Sequence, residues 1–154
     1  MPALTLRSSV DVDTVETYDS IDAIRAEFVK RLRQNSALLS CLGGDIEKIA
    51  RRYRKSVVQP TDYPIVTYFD FGGNPDDIVP LMDITYQVDI WAEDTNLIMG
   101  HILNTLNLKP FGVIGDGAAN VTFIKCTDWR DDPVNDGDVE RKMLTFRVLA
   151  YSLK

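Results

Sequence analysis

The sequence contains few of the side chains on which enzymes and metal sites usually depend. Its 154 residues include one histidine, His101, and two cysteines, Cys41 and Cys126. Histidine is the side chain that titrates near neutral pH unaided, so acid–base catalysis would have to be built around a single residue. A zinc site needs three or four ligands at workable spacing, and these three residues are scattered. We therefore expect no enzyme activity, no zinc and no cofactor.

Long apolar runs are also missing. No stretch approaches the roughly 20 consecutive apolar residues that cross a bilayer, and the N-terminus lacks the basic-then-apolar order of a secretory signal. Two distant cysteines do not form the dense framework of a small secreted protein, so we expect both to be buried free thiols. These absences favour a protein that is made in the cytoplasm and has no membrane partner.

One histidine and a group of glycines are candidates for a catalytic or a nucleotide-binding site, but their sequence patterns support neither. His101 falls on the apolar stripe of an expected helix, which favours a core or interface histidine over a catalytic one. Gly112, Gly115 and Gly117 match neither the dinucleotide fingerprint nor the phosphate loop, so they predict a turn before Val121.

Two charged segments leave alternatives open. The acidic one lacks the EF-hand order of ligands, so a solvated turn is favoured over a Ca²⁺ or Mg²⁺ site. Its members are Asp128, Asp131, Asp132, Asp136 and Asp138. The basic run at residues 48–55 contains Tyr53 and has the character of a phosphate-contacting cluster. In a protein with a pI of about 4.7, a solvated or interface face is the favoured interpretation.

Composition indicates one globular domain with a polarised charge. Apolar residues make up 45% of the chain and charged residues 26%, and the length suits a single core. The net charge of −6 is uneven: residues 21–60 hold nine basic and four acidic side chains, whereas residues 61–154 hold seven and fifteen. Such asymmetry influences which surfaces attract charged neighbours.

Hydrophobic spacing predicts two main helices, preceded by a flexible or partner-dependent N-terminal arm at residues 1–19. The first helix begins at Asp19-Ser20, and the second follows Asp94 or Thr95. The expected apolar stripes are Ile21, Ile24, Phe28 and Leu32 in the first helix, and Leu97, Ile98, His101, Ile102, Thr105 and Leu106 in the second. Between them, residues 46–57 are either a short amphipathic helix or a basic loop.

Alternating apolar and polar residues predict about four strands in two hairpins. The first hairpin turns at Gly72-Gly73-Asn74-Pro75, between residues 65–69 and a strand that begins near Ile84. The second turns at the acidic residues 131–138, between residues 121–129 and 139–153.

These elements predict an α+β fold in a single domain at residues 20–154. A mostly antiparallel sheet of about four strands would carry two main helices on one face, since each apolar stripe then meets an apolar sheet face. The opposite face would carry Gln87, Trp91, Arg141 and Arg147, either exposed or in contact with another subunit.

Several segments together resemble the tail terminator, or tail completion, family of long-tailed bacteriophages. The segments are Leu38-Leu39 before Leu42-Gly43-Gly44, Gln59-Pro60, Asp62 to Tyr68, and Tyr86 to Ala92 followed by a helix with Ile98, Ile102 and Leu106. The resemblance covers roughly residues 20–108, and the C-terminal strands match only in kind. The long N-terminal arm and the arginines at 51–54 depart from the family pattern.

The resemblance implies a structural virion protein of the tail or neck, made in the host cytoplasm. Its subunits would form a homo-oligomer, a hexameric ring that caps the tail tube protein and joins it to the head connector or stopper protein. DNA would pass through the ring without specific binding. The family has no catalytic residues to transfer.

The charge pattern suggests which residues of such a ring would face neighbouring proteins and which would face the channel. A closed ring needs two different patches on each subunit, one for each neighbour. We expect an interface group to face an acidic surface of a neighbour or of the connector; its members are Arg51, Arg52, Arg54 and Trp91. We expect a channel group to face the channel, where it would repel DNA; its members are Asp131, Asp132, Asp136 and Asp138.

Three other functions remain open at this point. The nearest is another neck component, such as a head-completion or stopper protein. A small metal-dependent hydrolase or nucleotide-modifying enzyme would use the aspartate cluster and His101. A monomeric adaptor would bind a partner peptide at a sheet edge.

Overall fold

The computed structural model describes residues 20–51, 62–75, 81–136 and 139–153. The predicted arm, together with Arg52, Arg54 and Asp138, lies outside these residues. The elements in chain order are α1 (residues 20–34), α2 (Ser36–Cys41), a 3-10 turn (Ile46–Lys48), β1 (Ile49–Arg51), β2 (Ile65–Pro75), β3 (Leu81–Ala92), α3 (Thr95–Leu106), β4 (Gly112–Ile114), β5 (Ala119–Asp136) and β6 (Val139–Ser152). No helix in these ranges is long and apolar enough to cross a membrane.

The strands form one sheet in the order β1-β2-β3-β6-β5-β4. Every neighbouring pair is antiparallel except β1 and β2, which are parallel. The predicted mostly antiparallel α+β fold is therefore confirmed, but the described residues form six strands rather than about four. The additional strands, β1 and β4, have three residues each and are too short to show an alternating pattern.

The two main helices pack on the same face of the sheet. Phe28 of α1 stacks on Tyr86 of β3 with ring centroids 4.4 Å apart. Asn96 of α3 accepts a hydrogen bond of 2.7 Å from Lys142, which pairs with Ile90 on the Tyr86 side of β3. Both expected stripes are confirmed in their main members, because the following residues are buried: Ile24, Phe28 and Leu32 in α1, and Ile98, Ile102 and Leu106 in α3. The prediction is wrong for Leu97, which is exposed and does not belong to the buried stripe.

Local capping explains where the shorter helices begin. Asn35 caps α2 by accepting a hydrogen bond from the backbone amide of Leu38, and Asp94 caps α3 by accepting one from Leu97. Gly43 and Gly44 follow α2 at φ values of 77° and 76°, a conformation that costs glycine little. The predicted start of the second main helix after Asp94 is confirmed.

Two predictions about the first half of the sheet are wrong. Residues 49–51 form β1 instead of continuing a helix or loop, because they pair with β2 far along the sequence. Gly72 to Pro75 do not reverse the chain but extend β2, after a bulge between Asp70 and Gly73. Among the described residues, β1 pairs with β2 only as far as Tyr68, so no described strand pairs with Pro75 on that side, where a missing amide is tolerated.

The predicted acidic turn is also wrong for the residues that the structure describes. Asp131 pairs with Lys142 and Asp132 with Arg141 across the β5–β6 ladder, and Asp136 pairs with Val139. Aspartate is unfavourable in strands, but opposite charges that lie directly across from each other on two strands stabilise their pairing. The three residues therefore belong to β5 and not to a loop.

Gly115 lies in the turn between β4 and β5, where it packs closely against α1. Its φ is 61°, and an added Cβ would lie 2.6 Å from the Cβ of Ala23. Gly115→Ala combines a strained backbone with a steric clash, so we expect it to lower the free energy of unfolding by about 2–4 kcal/mol. Urea denaturation measures this difference.

Gly117→Ala is the matched control in the same turn. Gly117 has a φ of 84°, but no atom lies within 4 Å of its added Cβ. Only the backbone cost of about 1–2 kcal/mol should remain. Equal losses in the two variants would contradict the close contact of α1 with the turn at Gly115.

Candidate functional site

The sheet has a second face that no helix covers in the described part of the chain. Side chains alternate along a strand, so the neighbours of Tyr86 and Phe146 point away from α1 and α3. We call this surface the open face. It carries Thr67 of β2, Gln87, Asp89 and Trp91 of β3, Asp132 of β5, and Arg141 and Arg147 of β6.

A buried ion-pair network lies at one end of the open face. Arg141 donates hydrogen bonds of 2.9 Å to Asp89 and of 2.9 Å to Asp132, on the two strands that flank β6. The Asp89 side chain is 0% exposed, and it also accepts a bond of 2.8 Å from Gln87. The network therefore ties β3, β6 and β5 together by side chains as well as by the backbone.

Trp91 packs against this network. The Arg141 guanidinium lies 4.6 Å from the centroid of the Trp91 ring, and Tyr63 stacks on Trp91 at 6.0 Å. A cation over an aromatic face is attracted by the ring quadrupole, and more strongly when water is excluded. Trp91 is 8% exposed, so the structure packs it within its own chain. Its contact with another subunit is untested and stays a prediction.

The other end of the open face is more exposed. Arg147 donates to both carboxylate oxygens of Asp83, with a shortest distance of 2.8 Å, and the side chains are 52% and 32% exposed. Phe71 and Tyr151 are also exposed at this end of the sheet. Solvent screens an ion pair of this kind, so it contributes far less to stability than the Asp89 network.

The predicted channel-facing aspartates do not all point the same way. Asp132 belongs to the open face, whereas Asp131 lies on the helix side, 3.1 Å from Lys142. Lys142 is 3% exposed, and its ammonium lies 4.5 Å from the centroid of the Trp129 ring. Both aspartates therefore have basic partners in their own chain.

Arg51, the one arginine of the predicted basic group that the structure describes, lies toward the opposite edge of the sheet. Arg51 is exposed at the end of β1 and pairs in register with Tyr68 of β2. The sheet order places β1 at one edge and β5 beside the other, so Arg51 is well separated from Asp131 and Asp132. This arrangement agrees with the charge polarity of the sequence.

An ion pair that the sequence analysis missed lies on the helix side. Arg25 of α1 donates two hydrogen bonds of 2.9 Å to the carboxylate of Asp70 in β2. Burial opposes ionisation of Asp70, but the hydrogen bond and charge of Arg25 outweigh it and hold its pKa below the usual value. Burial raises the pKa of Tyr86 well above its ordinary range. Only the three-dimensional contact between α1 and β2 could identify this pair.

The residues considered for catalysis remain apart. His101 is half-buried on α3, and Cys41 and Cys126 are free thiols that are half-buried rather than fully buried. Burial raises the pKa of the Cys126 thiol, which makes it less reactive. A cleft of about 440 Å³ lies beside Tyr63, Pro64 and Leu97. In the described ranges, no three His, Cys, Asp or Glu residues are grouped to hold a metal ion.

Comparison with known proteins decides the family. The sequence pattern of the family described as Tail completion protein gp17 matches residues 26–151. The chain belongs to this family. A solved chain from the "Virion of native gene transfer agent (GTA) particle" has the same fold, with a TM-score of 0.66 at 12% identity over 86% of this chain and 97% of that chain. No individually curated protein matches the sequence.

Membership of the tail completion family confirms the resemblance and extends it to the C-terminal strands. It gives the chain a structural, tail-associated role in a virion. The open face and the two sheet edges are then the surfaces to consider, because a structural protein acts through contacts with other proteins.

Proposed function

We propose that this tail completion protein is a tail terminator, whose subunits form a hexameric ring that caps the tail tube and joins it to the head connector. The observation that carries the proposal is the family match over residues 26–151. The fold supports it, because the sheet presents different surfaces at its two edges, as a closed ring of identical subunits requires. The partners are the tail tube protein on one side and the connector or stopper protein on the other.

The charged groups have separate places in this ring. Arg51, Arg52 and Arg54 face an acidic surface of a neighbour or of the connector. The end of the β5–β6 hairpin, with Asp131, Asp132, Asp136 and Asp138, lies toward the channel, where it repels passing DNA. Trp91 serves the interface by holding Arg141 and Tyr63 in position on the open face.

Head joining tests the proposed function directly. Tails assembled without this protein should stay separate from filled heads, and adding the purified protein should restore joined particles. Electron microscopy counts the joined fraction. Joining at full yield without the protein would rule out the proposed role, and a defect confined to an earlier step, such as tube polymerisation, would also count against it.

Charge reversal tests the place of the basic group. The triple variant Arg51→Glu, Arg52→Glu and Arg54→Glu should abolish ring formation or head joining, since like charges at an interface repel. Arg51→Lys, Arg52→Lys and Arg54→Lys is the matched control, because it keeps all three charges. Sedimentation measures the ring and microscopy measures joining. Normal ring formation and joining with the Glu variant would show that the basic group lies elsewhere.

A further inference from the structure

The outer edge of β5 is covered along its first part only. β4 pairs with residues 119–121, and the backbone amide of Cys126 donates to the Asn107 side chain at 2.8 Å. Beyond Cys126, no strand in the described ranges pairs with β5 on its outer side. We call residues 127–130 the free edge. Unpaired strand edges attract other chains, so this edge can accept one more strand.

The side chains of the free edge differ on its two faces. Trp129 is 53% exposed and lies on the helix side. Asp128 and Arg130 are exposed on the open face, and Asp128 makes no ion pair with a described residue. Residues 127–132 hold three aspartates and one arginine. A basic partner therefore suits this edge better than an acidic one.

A basic segment begins at the opposite edge of the sheet. Arg51 is exposed at the end of β1, and residues 51–55 read Arg-Arg-Tyr-Arg-Lys, with four positive charges and no negative one. The registers of the strand pairs place the start of this segment and the free edge in one row across the sheet. The row is Arg51, Tyr68, Val88, Leu144 and Trp129.

Strand direction also fits a contact between these two edges. β1 is parallel to β2, and each further step from β2 through β3 and β6 to β5 is antiparallel. β1 therefore runs opposite to β5. If identical subunits are placed side by side around a ring, β1 of one copy meets the free edge of the next in antiparallel orientation and at the same level.

We propose that the segment beginning at Arg51 binds the free edge of a second copy as an added antiparallel strand, with Arg51 opposite Trp129 and Arg52 opposite Asp128. Arg51 is in register with the buried Tyr68, which places it on the same face as Trp129. A cation beside a tryptophan ring is attracted by the ring quadrupole. Arg52 would then lie on the face of Asp128, where opposite charges pair across strands.

A second copy is required because the free edge is out of reach of this segment in its own chain. Four strand spacings separate β1 from β5, about 19 Å in total, whereas the Cα atoms of Arg51 and Arg52 are about 3.8 Å apart. Asp62, at the other end of the segment, also lies near β1, since its carbonyl accepts a hydrogen bond of 2.8 Å from Lys48. Contact between opposite edges repeats at every subunit and closes a ring.

This inference rests on the proposed ring and identifies the acidic surface that the basic group contacts; a charge exchange tests it separately. Asp128→Arg should weaken ring assembly on tails about tenfold, and Arg52→Asp should do the same, because each change places like charges opposite each other. Combining the two changes in one chain restores the pair and should return assembly to near the normal level. Sedimentation and electron microscopy measure the rings.

Lys125→Asp is the control for the charge exchange. It alters the charge of β5 by the same amount, at a position where Asn107 and Leu108 already cover the edge, so assembly should stay normal. Unchanged assembly of Asp128→Arg would overturn the inference while leaving the ring intact. A combined variant as defective as the single ones would also overturn it. If the unaltered protein formed no ring on tails, the proposed function would fail, and this inference with it.

Disulfide trapping identifies which chain supplies the strand. Arg52→Cys and Asp128→Cys are placed in one chain whose natural cysteines are replaced by serine, and tails carrying it are oxidised. A ladder of cross-linked oligomers is expected, and the same chain without the two new cysteines should give none. Cross-linked monomers would overturn the inference, because the segment would then bind its own edge. The absence of any cross-link in assembled tails would overturn it as well.

Discussion

Phe28→Ala should lower the free energy of unfolding by about 3–5 kcal/mol, the usual cost of removing a buried aromatic ring. Phe28 is fully buried, stacks on Tyr86 at 4.4 Å and meets Phe146 edge-on at 6.1 Å. It therefore joins α1 to the two central strands of the sheet. Its loss leaves a cavity that these two large aromatic neighbours cannot fill. Urea denaturation followed by circular dichroism measures the change.

Phe71→Ala is the control for the Phe28 variant. Phe71 is 46% exposed, and its ring contacts Phe69 in the same strand at 5.6 Å. Its removal exposes little new surface, so the free energy of unfolding should change much less than in Phe28→Ala. A similar loss in both variants, or a loss below about 1 kcal/mol for Phe28→Ala, would contradict the position of α1 over the sheet centre.

Asp89→Ala should be destabilising to a similar extent, about 3–5 kcal/mol, because removing one partner of a buried ion pair leaves the other charge uncompensated. Arg141 is 17% exposed and would keep only Asp132, which is 41% exposed. Gln87 would lose its acceptor as well. Thermal and urea unfolding of the purified variant measure the effect.

The exposed ion pair on the same face provides the control for Asp89→Ala. Asp83→Ala removes the partner of Arg147, which remains hydrated. We expect the free energy of unfolding of this variant to be close to that of the unaltered protein. If Asp89→Ala were equally mild, the network at Trp91 would not hold β3, β5 and β6 together, and the open face would lack the rigid surface that the proposed ring uses.

The helices and central strands could be predicted because their patterns are local. Ile24, Phe28 and Leu32 recur at intervals of four, and Tyr86, Val88 and Ile90 alternate, so the buried faces can be read from spacing alone. Leu97 fits the helical stripe equally well but lies in the first turn of α3, beyond the edge of the core. Periodicity predicts the direction in which a side chain points, but it does not predict how far the sheet face extends beneath the helix.

The errors arise where distant residues decide the structure. Gly72 to Pro75 carry turn signals, yet Gly72 lies in a bulge and Gly73 to Pro75 pair with β3, because the hairpin register extends past them. Asp131 and Asp132 occur in a turn-like sequence, yet β6 places Lys142 and Arg141 opposite them. The alternation of β3 located Trp91 on the open face, but only the pairing of β3 with β6 brings it to Arg141. Cross-strand register is not encoded in any short segment.

The central claim, a tail terminator ring, is tested most directly by electron microscopy of tails completed with this protein, at a resolution that separates subunits. The account predicts a single ring of about six copies at the head-proximal end of the tube, with α1 and α3 recognisable in each subunit. Tails lacking the protein should end without this ring. Copies located at the distal tip or along the tube, or bound singly with no closed ring, would contradict the account.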